Sequence, residues 1–143
     1  GVFLSCRAVL PSMVRRGTGA IVVIGSMSGK RPMAQRTPYT SSKTALIGLV
    51  RSLAVEAGEH GIRVNLVSPG PVTGPRLDRV VAAASAAGGR TRDEQLGEYA
   101  AASPLRRLVD PDDVAAAVVF LAGDDARSTT GEDLNVSAGI TMH

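Results

Sequence analysis

A strand–helix–strand pattern in the first half of the chain constrains its fold more than any other feature. Residues 20–24 are an unbroken apolar run, which is typical of a strand buried on both faces of a parallel sheet. Residues 38–59 have the periodicity of a long, broadly apolar helix, and a second strand pattern follows at 62–67. Two strands joined by a helix and short loops form a βαβ unit, in which the strands are parallel and the crossover is right-handed.

Helical patterns extend this unit on both sides. Residues 1–16 predict a helix that stops at Gly17. The segment 73–105 predicts two helices, at 76–87 and 91–102, which are separated by Gly88-Gly89. Because this long segment follows the carboxyl end of a parallel strand, we interpret it as a lid over a ligand site and call it the lid segment.

Helix-start signals and a last strand pattern complete the domain. Thr91 and Glu94 have capping-box spacing, and Asp110-Pro111 is an N-cap followed by a first-turn proline. Residues 133–136 predict a short final strand. The sequence therefore predicts an α/β chain with about three parallel strands and flanking helices, which we treat as one partial domain over residues 1–143.

Composition excludes several classes of function. The 143 residues are 44% hydrophobic and 20% charged, as in a soluble globular domain, and no apolar run approaches the roughly 20 residues of a membrane helix. The net charge is +3, but the arginines are scattered and aromatics are only 3%, which argues against nucleic acid as a partner. A single cysteine, Cys6, leaves no internal disulfide, so we expect a small buried thiol in a cytoplasmic protein. His60 and His143 lack carboxylate or cysteine neighbours at ligand spacing, so no metal site is expected.

Three polar side chains form the candidate catalytic group. Ser26 follows the first strand, and Tyr39 and Lys43 are four residues apart on the next helix. Residues i and i+4 share one helix face, so the phenol and the ammonium can address the same volume. A serine at the strand end can point into that volume from the side. This arrangement indicates proton transfer to or from an oxygen atom of a substrate.

Two other readings of this region do not fit its spacing. Residues 25–30 are one residue short of a phosphate-binding loop, Arg31 replaces the required Ser or Thr, and Pro32 opposes the helix that should follow. A serine hydrolase would need a Ser-x-x-Lys or Gly-x-Ser-x-Gly pattern, and Ser26 stands in neither.

The chain resembles the C-terminal half of the short-chain dehydrogenase/reductase family. The resemblance covers essentially the whole chain and rests on several segments in the same order. These are Gly25-Ser26, YTSSK at 39–43, RVNLVSPG at 63–70, SPLRRL at 103–108, DPDDV at 110–114 and TGEDLNV at 130–136. The resemblance implies a Rossmann-type, doubly wound parallel sheet, of which this chain holds the C-terminal part.

The resemblance also implies a role for each polar residue of the candidate group. Tyr39 would be the general acid/base that exchanges a proton with the substrate oxygen while a hydride moves to or from NAD or NADP. Lys43 would favour the phenolate by its charge and bind the nicotinamide ribose. Ser26 would bind and polarise the carbonyl of a ketone or the hydroxyl of a secondary alcohol.

The resemblance also implies that Tyr39 contacts the cofactor, together with further residues. Pro69 and Gly70 would flank the nicotinamide, the Val72 backbone would bind its carboxamide, and Thr73 is the hydroxyl nearest to a position that is threonine in many members. That position is Gly74 here. The partners implied are a small alcohol or ketone substrate and further copies of the chain, in a homotetramer or homodimer.

The nucleotide-binding half of the family and its catalytic asparagine have no counterpart in these residues. We therefore expect the chain alone to be an inactive and unstable fragment of a longer enzyme. The alternative interpretation is a non-enzymatic member that keeps the fold as an oligomeric or regulatory binding module. The presence of Ser26, Tyr39 and Lys43 together favours the enzyme.

Overall fold

The computed structural model describes residues 1–88 and 90–142. The order of elements is α1 (Val2–Arg16), β1 (Gly19–Ile24), α2 (Thr37–Gly58), β2 (Ile62–Pro69), α3 (Pro75–Gly88), α4 (Arg92–Ala101), α5 (Pro111–Ala122) and β3 (Asp133–Val136). Short 3₁₀ turns occur at Met27–Gly29 and Asp124–Ala126. The predicted α/β class and three parallel strands are confirmed. Gly88 ends α3, whereas Gly89 and His143, which also figured in the sequence predictions, lie outside the described residues.

The three strands form one parallel sheet in the order β1-β2-β3. Gly19 pairs with Ile62 and Ile24 with Val67, while Leu66 pairs with Asp133 and Pro69 with Val136. Because all strands run the same way, their carboxyl ends meet at one edge of the sheet. Any residues that follow β1 and β2 are therefore brought together there.

β1 is less buried than its apolar sequence indicates. Val23 is buried, but Ile24 is 45% exposed and the other residues of the strand are half-buried. β1 lies at the border of the sheet, and no strand among residues 1–88 and 90–142 pairs with its outer edge. Burial on both faces needs neighbours on both sides, and this chain supplies them on one side only.

Helices cover both faces of the sheet. On one face, α1 and α2 pack on β1 and β2 through Cys6, Val50 and Leu53, together with Val64 and Leu66 of β2. On the other face, α5 packs through Leu121 against Val67, with Val22, Val114 and Val118 around it. Burying an aliphatic side chain contributes about 1.5–3 kcal/mol, so these two clusters hold the layers together.

Polar residues inside β2 fix the ends of other elements. The Arg63 guanidinium donates to the carbonyls of Leu121 and Gly123 at 2.6 and 2.9 Å. These bonds supply donors to carbonyl groups at the C-terminal end of α5, which have no partner inside the helix. Asn65 is fully buried, donates to the Thr129 carbonyl at 2.9 Å and accepts from the Glu132 amide at 3.1 Å. These bonds explain why polar residues interrupt an otherwise apolar buried strand.

The predicted helix ends are confirmed. Gly17 follows α1 with φ +66°, a left-handed conformation that glycine adopts without steric cost. Thr91 and Glu94 form the expected capping box at α4. Asp110 caps α5 by accepting from the Asp112 amide at 2.9 Å, and Pro111 occupies the first turn.

The α3–α4 pair extends from the carboxyl end of β2. Val81 of α3 is fully buried, Arg92 pairs with Asp78 at 2.5 Å, and Gln95 donates to Ser85 at 2.6 Å. These contacts hold the two helices against each other as one unit. In the part of the chain that the structure describes, no helix combines the length and the apolar character needed to cross a membrane.

Candidate active site

Ser26 lies directly beyond the carboxyl end of β1. It caps the following 3₁₀ turn, where its Oγ accepts from the Ser28 amide at 3.2 Å. The residue is half-buried. A serine hydroxyl has one donor and two acceptor lone pairs, so this bond leaves its proton for another partner.

The turn that carries Ser26 packs on α2. Thr44 Oγ1 donates to the Gly29 carbonyl at 2.9 Å. A Cβ on Gly29 would lie 3.1 Å from the carbonyl carbon and oxygen of Lys43, so a larger residue would push the two segments apart by a few tenths of an ångström. The backbone of α2 at Lys43 is therefore held directly against the segment that follows Ser26.

Lys43 joins α2 to the end of β1. Its Nζ donates to the Ile24 carbonyl at 3.0 Å and lies 5.9 Å from the centroid of the Tyr39 ring. Both side chains are half-buried. Lys43 forms no ion pair with a carboxylate of the described residues.

The end of β2 reaches the same edge of the sheet. The Gly25 amide donates to the Val67 carbonyl at 2.7 Å, and a Cβ on Gly25 would lie 3.1 Å from Ser68 Oγ. Ser68 is buried, and its Oγ has no hydrogen-bond partner in the described residues. Pro69 and Gly70 come next, so they lie beside the residues that follow β1.

Gly70 is held between β2 and the end of β3. Its amide donates to the Val136 carbonyl at 2.9 Å. A Cβ at this position would lie 2.9 Å from the Cα of Ser137, closer than real Cβ atoms approach. Glycine is therefore required here by the backbone of the protein itself.

Val72 and Thr73 continue from Gly70 as a short bridge to Val109. The Thr73 amide donates to the Val109 carbonyl at 2.9 Å, and the Val109 amide donates to the Pro71 carbonyl at 3.0 Å. In a parallel bridge of this kind, the peptide groups of Val72 itself point away from Val109. Thr73 is exposed. Gly74 has φ +126°, which explains why no threonine occupies that position in this chain.

Two charged residues at this edge were missed by sequence reasoning. Arg76, near the start of α3, places its Cζ 5.7 Å from the centroid of the Tyr39 ring. Lys30, which was considered only as part of a phosphate loop, forms an ion pair with Asp133 at 2.9 Å. Neither has a sequence signature, because both contacts join residues that are distant in the chain.

Two clefts and the free cysteine of the described residues lie outside this group of side chains. Two clefts of about 380 and 430 Å³ open along β3 and α5, and Ser26, Tyr39 and Lys43 line neither. No group of three His, Cys, Asp or Glu residues suited to a metal occurs in the described ranges. Cys6 is a buried free cysteine, as expected, and burial raises the pKa of its thiol.

Comparison with known proteins identifies the family. A family model described as Enoyl-(Acyl carrier protein) reductase matches residues 1–141. Galactitol 2-dehydrogenase of Rhizobium johnstonii is 43% identical over 144 residues, covering 99% of this chain and 52% of that protein. Oxidoreductase UcpA of Salmonella typhimurium is 38% identical over 143 residues, which cover 99% of this chain and 53% of that protein. The chain spans about half the length of the curated relatives it matches.

Solved structures agree with this result. Sorbitol-6-phosphate 2-dehydrogenase SrlD of Erwinia amylovora superposes with a TM-score of 0.93 at 32% identity, covering 99% of this chain and 56% of that one. The structure of an F189W actinorhodin polyketide ketoreductase with NADPH superposes with a TM-score of 0.86 at 35% identity. The match covers 92% of this chain and 50% of that one. An NAD⁺-bound xylitol dehydrogenase superposes with a TM-score of 0.89 at 29% identity, and the match covers 96% of this chain and 55% of that one.

The chain belongs to the short-chain dehydrogenase/reductase family and corresponds to its C-terminal portion. The prediction of a Rossmann-type fold is confirmed by these structures. The prediction of NAD or NADP as cofactor agrees with the two neighbours that contain one of them.

Proposed function

We propose that the full-length protein, meaning the natural polypeptide that contains these residues, is an NAD(P)-dependent dehydrogenase or reductase. Its substrates would be secondary alcohols or ketones. The observation that carries the proposal is the position of Lys43, whose Nζ binds the Ile24 carbonyl and also lies 5.9 Å from the Tyr39 ring. This arrangement fixes a cation beside a phenol at the carboxyl edge of the sheet, where ligands of such folds bind.

The residues of this edge fit one side of a nicotinamide nucleotide. An ammonium group has three donors, so Lys43 can bind a ribose hydroxyl while it keeps its bond to Ile24. Gly70 offers no side chain at the turn, and the Val72 peptide points away from its bridge to Val109. We therefore assign Pro69, Gly70, Val72 and Thr73 to the nicotinamide side of the site. When bound, NAD(P)H supplies the hydride for the carbonyl carbon, and NAD(P)⁺ accepts it in the reverse direction.

The chemical role of the protein is to move a proton and hold the substrate oxygen. In reduction, the Tyr39 hydroxyl gives its proton to the oxygen of the carbonyl and becomes a phenolate. In oxidation, the phenolate takes the proton of the alcohol. Lys43 favours the phenolate by its charge, and the Ser26 hydroxyl donates to the same substrate oxygen. Proton transfer of this kind contributes about 10²–10⁴-fold to the rate.

The α3–α4 unit would act as the lid. It begins two residues after Thr73, and Arg76 already contacts the Tyr39 ring. Closure over a substrate would exclude water from the proton transfer. The proposed lid comprises the whole lid segment, residues 73–105.

Assembly into a homodimer or homotetramer is supported by exposed apolar side chains on two surfaces. On α1 and α2, Phe3 is 59% and Val55 is 83% exposed, and on α5 Val119 is 71% exposed. Covering such side chains is the usual role of an interface. The mass of the full-length protein in solution, measured by light scattering, tests this part of the proposal.

The activity itself is tested with the full-length protein and a panel of ketones and secondary alcohols. Oxidation of NADH or NADPH is followed in one direction, and reduction of NAD⁺ or NADP⁺ in the other. We expect turnover with one of the two cofactors. Binding of the cofactor without turnover of any substrate would instead support the alternative, a non-enzymatic binding module.

A further inference from the structure

Two cations flank a single phenol ring at the candidate active site. The Lys43 ammonium lies 5.9 Å from the Tyr39 ring centroid, and the Arg76 guanidinium carbon lies 5.7 Å from the same centroid. Lys43 belongs to the same helix as Tyr39, whereas Arg76 comes from α3 of the lid segment. The contact to Arg76 therefore depends on how the lid segment meets α2.

Arg76 forms no ion pair with a carboxylate within the described ranges, whereas Arg90 and Arg92 of the lid segment each form one. Asp78 pairs with Arg92 at 2.5 Å, and Glu98 pairs with Arg90 at 2.7 Å. Asp78, the acid nearest to Arg76 in the sequence, is thus already paired with another arginine. A contact to a ring face uses none of the five guanidinium N–H groups as hydrogen bonds, so these donors stay available to a ligand.

The contact with Tyr39 could simply help to pack α3 on α2. A lysine or another long side chain would serve that purpose as well, and an acid nearby would neutralise the charge. Instead, Arg76 and Lys43 place two positive charges, neither of them in an ion pair with a carboxylate of the described residues, beside the ring whose hydroxyl would react with the substrate oxygen. Uncompensated charge of one sign in a cleft attracts ligands of the opposite sign.

We propose that Arg76 is a specificity-determining residue that binds an oxoanion of the substrate, a carboxylate or a phosphate, close to the reacting carbonyl or alcohol. This inference rests on the proposed function of the site. The planar guanidinium matches the two oxygens of a carboxylate or phosphate with two parallel hydrogen bonds. The same arginine would also draw the lid segment over the bound substrate, because it is part of α3.

The test compares substrate pairs that differ in charge. Acetoacetate is paired with methyl acetoacetate, and dihydroxyacetone phosphate with dihydroxyacetone, in reduction by the full-length protein. For each pair, the ratio of kcat/KM for the anion to kcat/KM for the neutral compound is measured. We expect Arg76→Gln to lower this ratio at least about tenfold in one pair or both, because a charge-assisted bidentate contact is lost. The pair that responds identifies the oxoanion.

Two control variants separate charge from geometry. Arg79→Gln removes an equal charge three residues further along α3, at a position that is exposed and has no contact with the Tyr39 ring. This variant should keep both kcat/KM ratios within about twofold of the wild-type values. Arg76→Lys keeps the charge but not the planar fork, and it should lower the ratio less than Arg76→Gln does.

Two results would overturn the inference. One is a ratio that Arg76→Gln leaves unchanged in both pairs, including the case of an equal loss on anionic and neutral substrates, and the other is a rise in KM for the nucleotide cofactor alone. If the wild-type protein reduces the neutral ketones and one of these results is found, the proposed function stands and only the role of Arg76 fails. If no carbonyl compound is reduced at all, the proposed function fails. Calorimetric binding of acetoacetate and of inorganic phosphate, lost in Arg76→Gln and retained in Arg79→Gln, then decides the inference.

Discussion

Lys30 and Asp133 form a nearly buried ion pair between the turn after Ser26 and the first residue of β3. Their Nζ and Oδ2 atoms are 2.9 Å apart, and the two side chains are 10% and 7% exposed. The same ammonium donates to Asn135 Oδ1 at 2.7 Å. The segment that follows β1 is thus bound to β3 by an ion pair and a hydrogen bond. The position of the Ser26 turn depends on this contact as well as on α2.

Lys30→Met is expected to lower the free energy of unfolding by about 3–5 kcal/mol, since it leaves the Asp133 carboxylate buried without its counter-charge. Urea denaturation of the full-length protein measures the change. Arg90→Met is the matched control, because the Arg90–Glu98 pair has the same type of contact at 2.7 Å but with side chains 63% and 57% exposed. Arg90→Met should lower the free energy of unfolding by less than about 1 kcal/mol. Equal effects of the two substitutions would show that burial of the Lys30 pair does not matter.

Lys43→Met should reduce kcat by about 10²-fold or more, because it removes the charge beside Tyr39 and the donor to the Ile24 carbonyl. Steady-state kinetics measures this, and circular dichroism checks that the fold is kept. Lys43→Arg keeps the charge in a different geometry and should recover part of the loss. Full activity in Lys43→Met would contradict the role assigned to the ammonium.

Ala138→Gly should stabilise the protein by roughly 0.5–1 kcal/mol. Ala138 has φ +52°, a left-handed conformation that costs an alanine free energy and suits glycine. Thermal or urea unfolding measures the gain. Ala116→Gly, at an exposed position inside α5, should instead destabilise by about 1 kcal/mol. If both substitutions destabilise equally, the backbone at Ala138 is not strained.

The pKa of Glu94 is expected to lie below its ordinary value, because its carboxylate accepts from the Thr91 amide at 2.8 Å and from Thr91 Oγ1 at 2.9 Å. A lowered pKa in the folded state means that the capping box stabilises α4 above the unfolded-state pKa. This contribution is lost as the pH falls through the folded-state value. A carboxyl-carbon NMR titration measures the pKa, and Thr91→Ala should raise it. A value that is insensitive to Thr91→Ala would exclude the bond from Thr91 Oγ1 as a cause and leave only the bond from the backbone amide.

The parts of the fold that the sequence predicts are those with local causes. The spacing of apolar residues and the chemistry of helix caps are set within a few residues of the chain. For this reason β3 at Asp133–Val136 and the caps at Thr91 and Asp110 were predicted correctly. The family resemblance placed Ser26, Tyr39 and Lys43, and the structure adds how Lys43 is held. The roles of these residues stay predictions.

The parts that could not be predicted depend on packing between distant segments. Lys30 and Asp133 are separated by 103 positions, and no pattern in either segment indicates that they meet. The approach of Arg76 to Tyr39 depends on how α3 leaves the end of β2. The exposure of Ile24 was missed for a related reason, since an apolar run cannot tell whether a strand has neighbours on both sides.

Tyr39→Phe in the full-length protein tests the central claim most directly, because it removes one oxygen atom and keeps the ring that Lys43 and Arg76 contact. The measurement is the rate of ketone reduction by NADH or NADPH under single-turnover conditions, together with the affinity for the cofactor. The account predicts a rate at least about 10²-fold lower with cofactor affinity little changed. Reduction at the wild-type rate would show that Tyr39 is not the proton donor.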